Sequence, residues 1–92
     1  MRLLIVEDEK ELCDTISKSL YESGYEVDTC YDGHEALDYI LTEDYDLIVL
    51  DLNLPGMDGM DILRELRKEN EETKVLILSL IHISEPTRLL SI

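Results

Sequence analysis

Acidic residues stand where apolar runs stop. "LLIVEDE" (Leu3–Glu9) passes from aliphatic residues to Glu7 and Asp8, and "LIVLD" (Leu47–Asp51) ends on Asp51. Short, continuous apolar runs of this kind are strands covered on both faces. In an open α/β sheet, the binding crevice forms at the carboxyl ends of the strands, where the order of connections reverses. If the first and third strands are neighbours there, Glu7, Asp8 and Asp51 converge on one small pocket. Carboxylates so placed raise one another's pKa, and a divalent cation removes that penalty. Mg²⁺ takes oxygen ligands in an octahedron and usually keeps several waters. Asp8 and Asp51 fit direct ligands, Glu7 a ligand through water, and the carbonyl of Asn53 a backbone ligand. A carboxylate beside such an ion can attack phosphorus and form an aspartyl phosphate, the metal neutralising charge on the transferring group. Asp51, at a strand tip opening into the loop "DLNLPGMDG" (Asp51–Gly59), is the candidate nucleophile.

Simpler readings compete. Acidic residues at a helix N-terminus are stabilised by the helix dipole, and for Glu9 that reading is preferred. One acid at a strand end says little, but acids ending two apolar strands together point to a site. Read as an EF-hand, the loop from Asp51 fails. Pro55 occupies an oxygen-ligand position, Ile62 stands where the bidentate Glu belongs, and a strand precedes the loop instead of a helix.

The elements that must carry these acids alternate regularly. After a strand over Arg2–Val6, Leu12, Cys13, Ile16 and Leu20 form one apolar helix stripe, which Gly24 ends. Tyr25–Cys30 reads as a strand. Asp32 with Glu35 three residues on is an acidic capping box for a helix with Ala36, Leu37, Ile40 and Leu41 on its face. Tyr45–Leu50 is a third strand. Pro55-Gly56 breaks structure, and Asp58 caps a helix with Ile62, Leu63 and Leu66 inward. Lys74–Leu78 is a fourth strand. This alternation predicts a parallel sheet with helices on its faces.

Composition narrows the partners. A chain of 92 residues holds one domain with one core, and its apolar content of 45% is sufficient. With no Trp or Phe, that core is aliphatic with Tyr added. A net charge of −14 repels nucleic acid and anionic membranes, so this segment is expected to bind neither. Cys13 and Cys30 follow no metal or disulfide spacing and read as buried or half-buried thiols. No signal-peptide architecture or membrane-length apolar run appears, and the expected location is the cytoplasm.

These motifs resemble the receiver domain of bacterial two-component response regulators. "LLIVEDE" matches the family's first strand and acidic pair, "LIVLDLNLPGMDG" its phosphoacceptor strand and loop, and "VLILS" its fourth strand. The resemblance implies a flavodoxin-like, doubly wound parallel sheet of order 2-1-3-4-5. It implies Mg²⁺ held by Glu7, Asp8, Asp51 and the Asn53 backbone. It also implies that Asp51 takes a phosphoryl group from a phosphohistidine on a sensor histidine kinase. Such a domain is a phosphoacceptor that catalyses only its own phosphoryl transfer and hydrolysis. Ser79 falls where the family has a hydroxyl that hydrogen-bonds the phosphoryl group; the plain alternative is a polar residue at a strand end. The opening "MRLLIVEDEKEL" is most similar to regulators with a C-terminal winged-helix DNA-binding domain, so DNA would be reached through an output domain outside this segment.

The resemblance covers residues 1 to about 79 and then departs. No Lys follows Lys74, although the family pairs a Lys on its fifth strand with the phosphoryl group, and Leu80 replaces a usual small residue. "LSLIHISEPTR" (Leu78–Arg88) is instead the translation expected of a transposase-type sequencing adapter. The expectation is therefore an incomplete receiver over 1–77, truncated after the fourth strand, and a non-native tail over 78–92. The last strand, two helices and the dimerisation face would be absent, and a sheet edge and part of one face uncovered. Two other functions share the acids. A haloacid-dehalogenase-like phosphatase would need an acid at Asn53 and leaves Glu7-Asp8 unexplained. A non-phosphorylated receiver-like interaction domain would not need the acids at all.

Overall fold

The structure is a computed structural model; it describes residues 1–52, 54–70, 72–80 and 87–91, with side chains described as far as residue 78. The elements run β1 (Arg2–Val6), α1 (Lys10–Glu22), β2 (Glu26–Cys30), α2 (Gly33–Thr42), β3 (Leu47–Asp51), α3 (Gly59–Glu69), β4 (Lys74–Leu80) and β5 (Thr87–Ser91). They form one sheet of order β2-β1-β3-β4-β5, parallel from β2 through β4. The expected doubly wound order is present, and β1 lies between β2 and β3, where the winding reverses.

The alternation of side chains across the pleat divides the core into two layers. Leu4, Val6, Ile48, Leu50, Val75 and Ile77 pack on one side with Ala36 and Ile40 of α2 and Ile62, Leu63 and Leu66 of α3. Ile5, Val49 and Leu78 pack on the other with Cys13, Leu12, Ile16 and Leu20 of α1. The inner strands are apolar at successive positions because both of their faces are covered. On α2 one expectation fails. Leu41 is 52% exposed, and Tyr39 packs against the core instead. The core-facing pair on this helix is Ala36 and Ile40, one turn apart, and Leu41 projects past that stripe.

The helix ends follow the sequence. Asp32 accepts the Glu35 amide at 2.9 Å and Asp58 accepts the Met60 amide at 2.9 Å, each satisfying an otherwise orphaned N–H. Gly24, just beyond α1, has φ +96°, which an L side chain would strain.

The parallel sheet ends at β4. Residues 87–91 return along β4 as an antiparallel fifth strand, with Ser79 opposite Arg88.

Both thiols are fully buried. Loss of solvation pushes Cys13 up to about 11 and Cys30 to about 12, which suppresses the reactive thiolate. Neither cysteine is expected to react with iodoacetamide in the folded protein at mildly alkaline pH, and both should react in urea; intact-mass spectrometry reads this.

At the amino end of the sheet, Arg2 joins three segments. Its guanidinium donates to Asp28 at 2.9 Å and to Glu43 at 3.4 Å and lies 5.0 Å from the Tyr45 ring centroid. The Tyr45 hydroxyl donates to the same Asp28 oxygen at 2.7 Å. The ion pairs are about one-third exposed and contribute little. The phenol bond is better shielded, and Tyr45→Phe should cost about 1 kcal/mol in urea unfolding.

Candidate metal and phosphoacceptor site

The register of β1 on β3 places Val6 beside Leu50, so the next residues, Glu7 and Asp51, leave the sheet side by side. Asp8 follows Glu7 before α1 begins. One carboxylate oxygen from each of Glu7, Asp8 and Asp51 lies within 4.8 Å of the other two. Glu7 is completely buried, Asp51 is 1% exposed, and Asp8 is open to solvent. The pocket therefore has a buried acidic floor and one acid at its mouth.

Backbone contacts fix the floor. The Glu7 amide donates to the Cys30 carbonyl at 3.1 Å, tying it to the end of β2. Glu7 Oε1 accepts the Glu9 amide at 3.0 Å. Glu7 Oε2 is buried with no hydrogen-bond partner among the described residues. Desolvation, reinforced by the neighbouring Asp51 and Asp8 carboxylates and only partly opposed by the Glu9 amide, raises Glu7 to about 8. The buried Glu7 carboxyl, set against Asp51 with Asp8 beside it, makes a set of hard oxygen donors. That donor set fits a hard divalent cation.

Glycine sets the approach of α3 to this floor. A Cβ on Gly59 would lie 2.6 Å from the Asp51 carbonyl oxygen and 2.8 Å from Leu52 Cα. The Gly59 amide reaches the Leu52 carbonyl at 3.4 Å. The sequence marks Asp58 as a cap, but the need for a bare Cα beside Asp51 emerges only from packing.

The other sequence-predicted positions divide as follows. Asn53 lies outside the described residues. Ser79 is in β4, one residue beyond Leu78, which pairs with Asp51; its backbone is thus at the same end of the sheet, and its side chain is outside the described set. Glu9 is the N-cap residue of α1 and makes no side-chain cap bond, so its contribution is the amide given to Glu7. His34, at the start of α2, is exposed.

The molecule is a doubly wound α/β domain with an acidic cluster at its switch point. The chain belongs to the response regulator receiver domain family, whose sequence pattern matches residues 3–90. It is 44% identical over 79 residues to the transcriptional regulatory protein DltR of Streptococcus agalactiae, which covers 86% of this chain and 35% of that protein. The chain thus spans about a third of the length of the curated relatives it matches. Among solved structures, it is similar to the response regulator TrrA of Thermotoga maritima in complex with Mg²⁺-BeF (TM-score 0.80, 37% identity, 85% of this chain and 68% of that one). It is also similar to the structure of the histidine kinase ThkA in complex with TrrA (TM-score 0.80, 35% identity, 91% of this chain and 73% of that one). No helix among the described residues is long and apolar enough to cross a membrane.

Proposed function

We propose that this domain is the phosphoaccepting module of a two-component regulator and that Asp51 is the acceptor. The observation that carries the reading is the meeting of Glu7, Asp8 and Asp51 within 4.8 Å at the switch point. Asp8 and Asp51 would hold the cation directly and Glu7 through water; the sequence motif adds the carbonyl of Asn53, which lies outside the described residues. Mg²⁺, when bound, neutralises charge on the transferring phosphoryl group. The Asp51 carboxylate attacks phosphorus, a P–O bond forms, and the P–N bond to a kinase phosphohistidine breaks, its electron pair returning to the imidazole. Hydrolysis of the aspartyl phosphate restores Asp51.

The kinase partnership is supported by the ThkA–TrrA complex and the choice of Mg²⁺ by TrrA with Mg²⁺-BeF. The relatives' role in transcription supports an output domain beyond this segment as the DNA reader, acting in the cytoplasm. A complete receiver would carry a switch hydroxyl where Ser79 stands, and Ser79 itself falls within the segment inferred next to be foreign.

We infer separately that residues 78–92 are foreign to the regulator. The antiparallel return of β5 and the lack of any Lys after Lys74 support this. Source DNA encoding Leu78–Arg88 by anything other than adapter sequence overturns it.

The phosphoacceptor reading is tested on the intact regulator with acetyl phosphate. The expected result is one added phosphoryl group by intact mass, abolished by EDTA and mapped to Asp51. Labelling without divalent cation, or at another residue, overturns it.

A further inference from the structure

The loop that leaves Asp51 is held from the side by the first residues of α2. The Gly33 amide donates to the Pro55 carbonyl at 3.1 Å, and the Met57 amide donates to the same carbonyl at 3.0 Å. A Cβ on Gly33 would lie 2.4 Å from the Met57 carbonyl oxygen, 2.5 Å from Met57 Cβ and 2.9 Å from Met57 C. Two of these three atoms are backbone, so no rotamer change relieves the overlap; the loop itself must move. Gly56 adds a second contact. Its φ is +82°, and a Cβ there would stand 3.0 Å from His34 Cδ2. Gly33 is buried and its φ is not positive, so closeness to the loop, not backbone conformation, is what calls for glycine here.

The far end of the loop is fixed by Gly59 against Asp51 and Leu52. Of the described loop residues, Leu52 is therefore held by α3 behind Asp51, and Pro55–Met57 by α2. We propose that Gly33 is a positioning residue for the site: by having no side chain, it lets the α2 N-terminus hold the loop that follows Asp51 in its cation-competent path. The coupling to ion affinity rests on the proposed function; the coupling of Gly33 to the loop does not.

The experiment compares Gly33→Ala with Gly24→Ala in the 92-residue chain, by amide NMR without ion and by Mg²⁺ titration. Gly24 is the control, because its φ of +96° makes alanine costly while nothing lies within 4 Å of its Cβ. Without ion, Gly33→Ala should shift the amides of Asp51, Leu52 and Leu54, and Gly24→Ala should leave them in place. Shifts confined to residues 32–36 and Met57 overturn the proposal whether or not the chain binds Mg²⁺. With Mg²⁺, Gly33→Ala should weaken binding by about tenfold, as supporting contacts around metal ligands do, while Gly24→Ala lowers stability at unchanged affinity. Equal affinity in all three proteins also overturns it. Wild-type protein that binds no Mg²⁺ contradicts the proposed function instead, and leaves the ion-free shifts to decide the role of Gly33. If Gly33→Ala does not fold, His34→Ala replaces it: removing the ring beside Gly56 should move the same Leu52 and Leu54 amides, and unmoved amides count against the clamp.

Discussion

Asp51→Asn should reduce phosphoryl incorporation from acetyl phosphate to background in the intact regulator while leaving the domain folded. The substitution keeps size and shape at a position that is 1% exposed, so the packing of β3 and the approach of Gly59 to the Asp51 carbonyl survive. What is lost is the anionic oxygen, both the nucleophile and a cation ligand. Near neutral pH Glu7 is protonated, and the amide oxygen introduced by Asp51→Asn can accept its hydrogen bond as the carboxylate does, so ion-free melting should not fall. The pairing of these readouts is informative: lost labelling with retained melting separates chemistry from unfolding. Labelling that persists in Asp51→Asn would remove Asp51 as the acceptor.

Glu7→Gln should have the second-largest effect, and its sign depends on conditions. Glu7 rises to about 8 in the folded chain, chiefly by desolvation, whereas in the unfolded chain it titrates near the ordinary value of 4.5. Between those values, the folded state holds a proton that the unfolded state has released. The stabilisation is fully present below the unfolded value and is lost as pH rises through about 8. Ion-free wild-type protein should therefore melt progressively lower from mildly acidic to mildly alkaline pH, and Glu7→Gln should flatten that slope. At alkaline pH the variant gains further, because an amide replaces a buried carboxylate oxygen that lacks a donor. That change is worth about 1–3 kcal/mol, and each kcal/mol is roughly 4–8 °C in a domain of this size. Mg²⁺ reverses the order. It should raise wild-type melting most at alkaline pH, where no proton competes for Glu7, and should help the variant much less. Thermal scans of both proteins over this pH range, with and without Mg²⁺, check this; parallel slopes would show that Glu7 is not the titrating group.

The parts of this molecule legible in the sequence are those governed by local rules. Pure apolar runs mark β1, β3 and β4, because strands covered on both faces have no polar side to alternate with. The helix stops and starts at Gly24, Asp32 and Asp58 are equally plain, since each satisfies a backbone requirement within a few residues. Convergence of Glu7, Asp8 and Asp51 is legible only through strand order, and it follows once β1 is placed beside β3. The requirement for a bare Cα at Gly33 and Gly59 is not legible, because it depends on backbones about 20 residues away or on the turn of a loop. Leu41 misleads because an apolar residue beside a helix stripe looks like part of it until the helix is docked. The direction of β5 is likewise not reported by periodicity, which gives an element's type and not its orientation.

The central claim is that the ends of β1 and β3 build one cation site next to the acceptor carboxylate. The most direct measurement is an anomalous difference map from crystals grown with Mn²⁺, which takes the same oxygen ligands and scatters anomalously. A single strong peak is expected between the carboxylates of Glu7, Asp8 and Asp51, absent in crystals of Asp51→Asn. A peak elsewhere on this acidic surface, with the three carboxylates left without an ion, would contradict it.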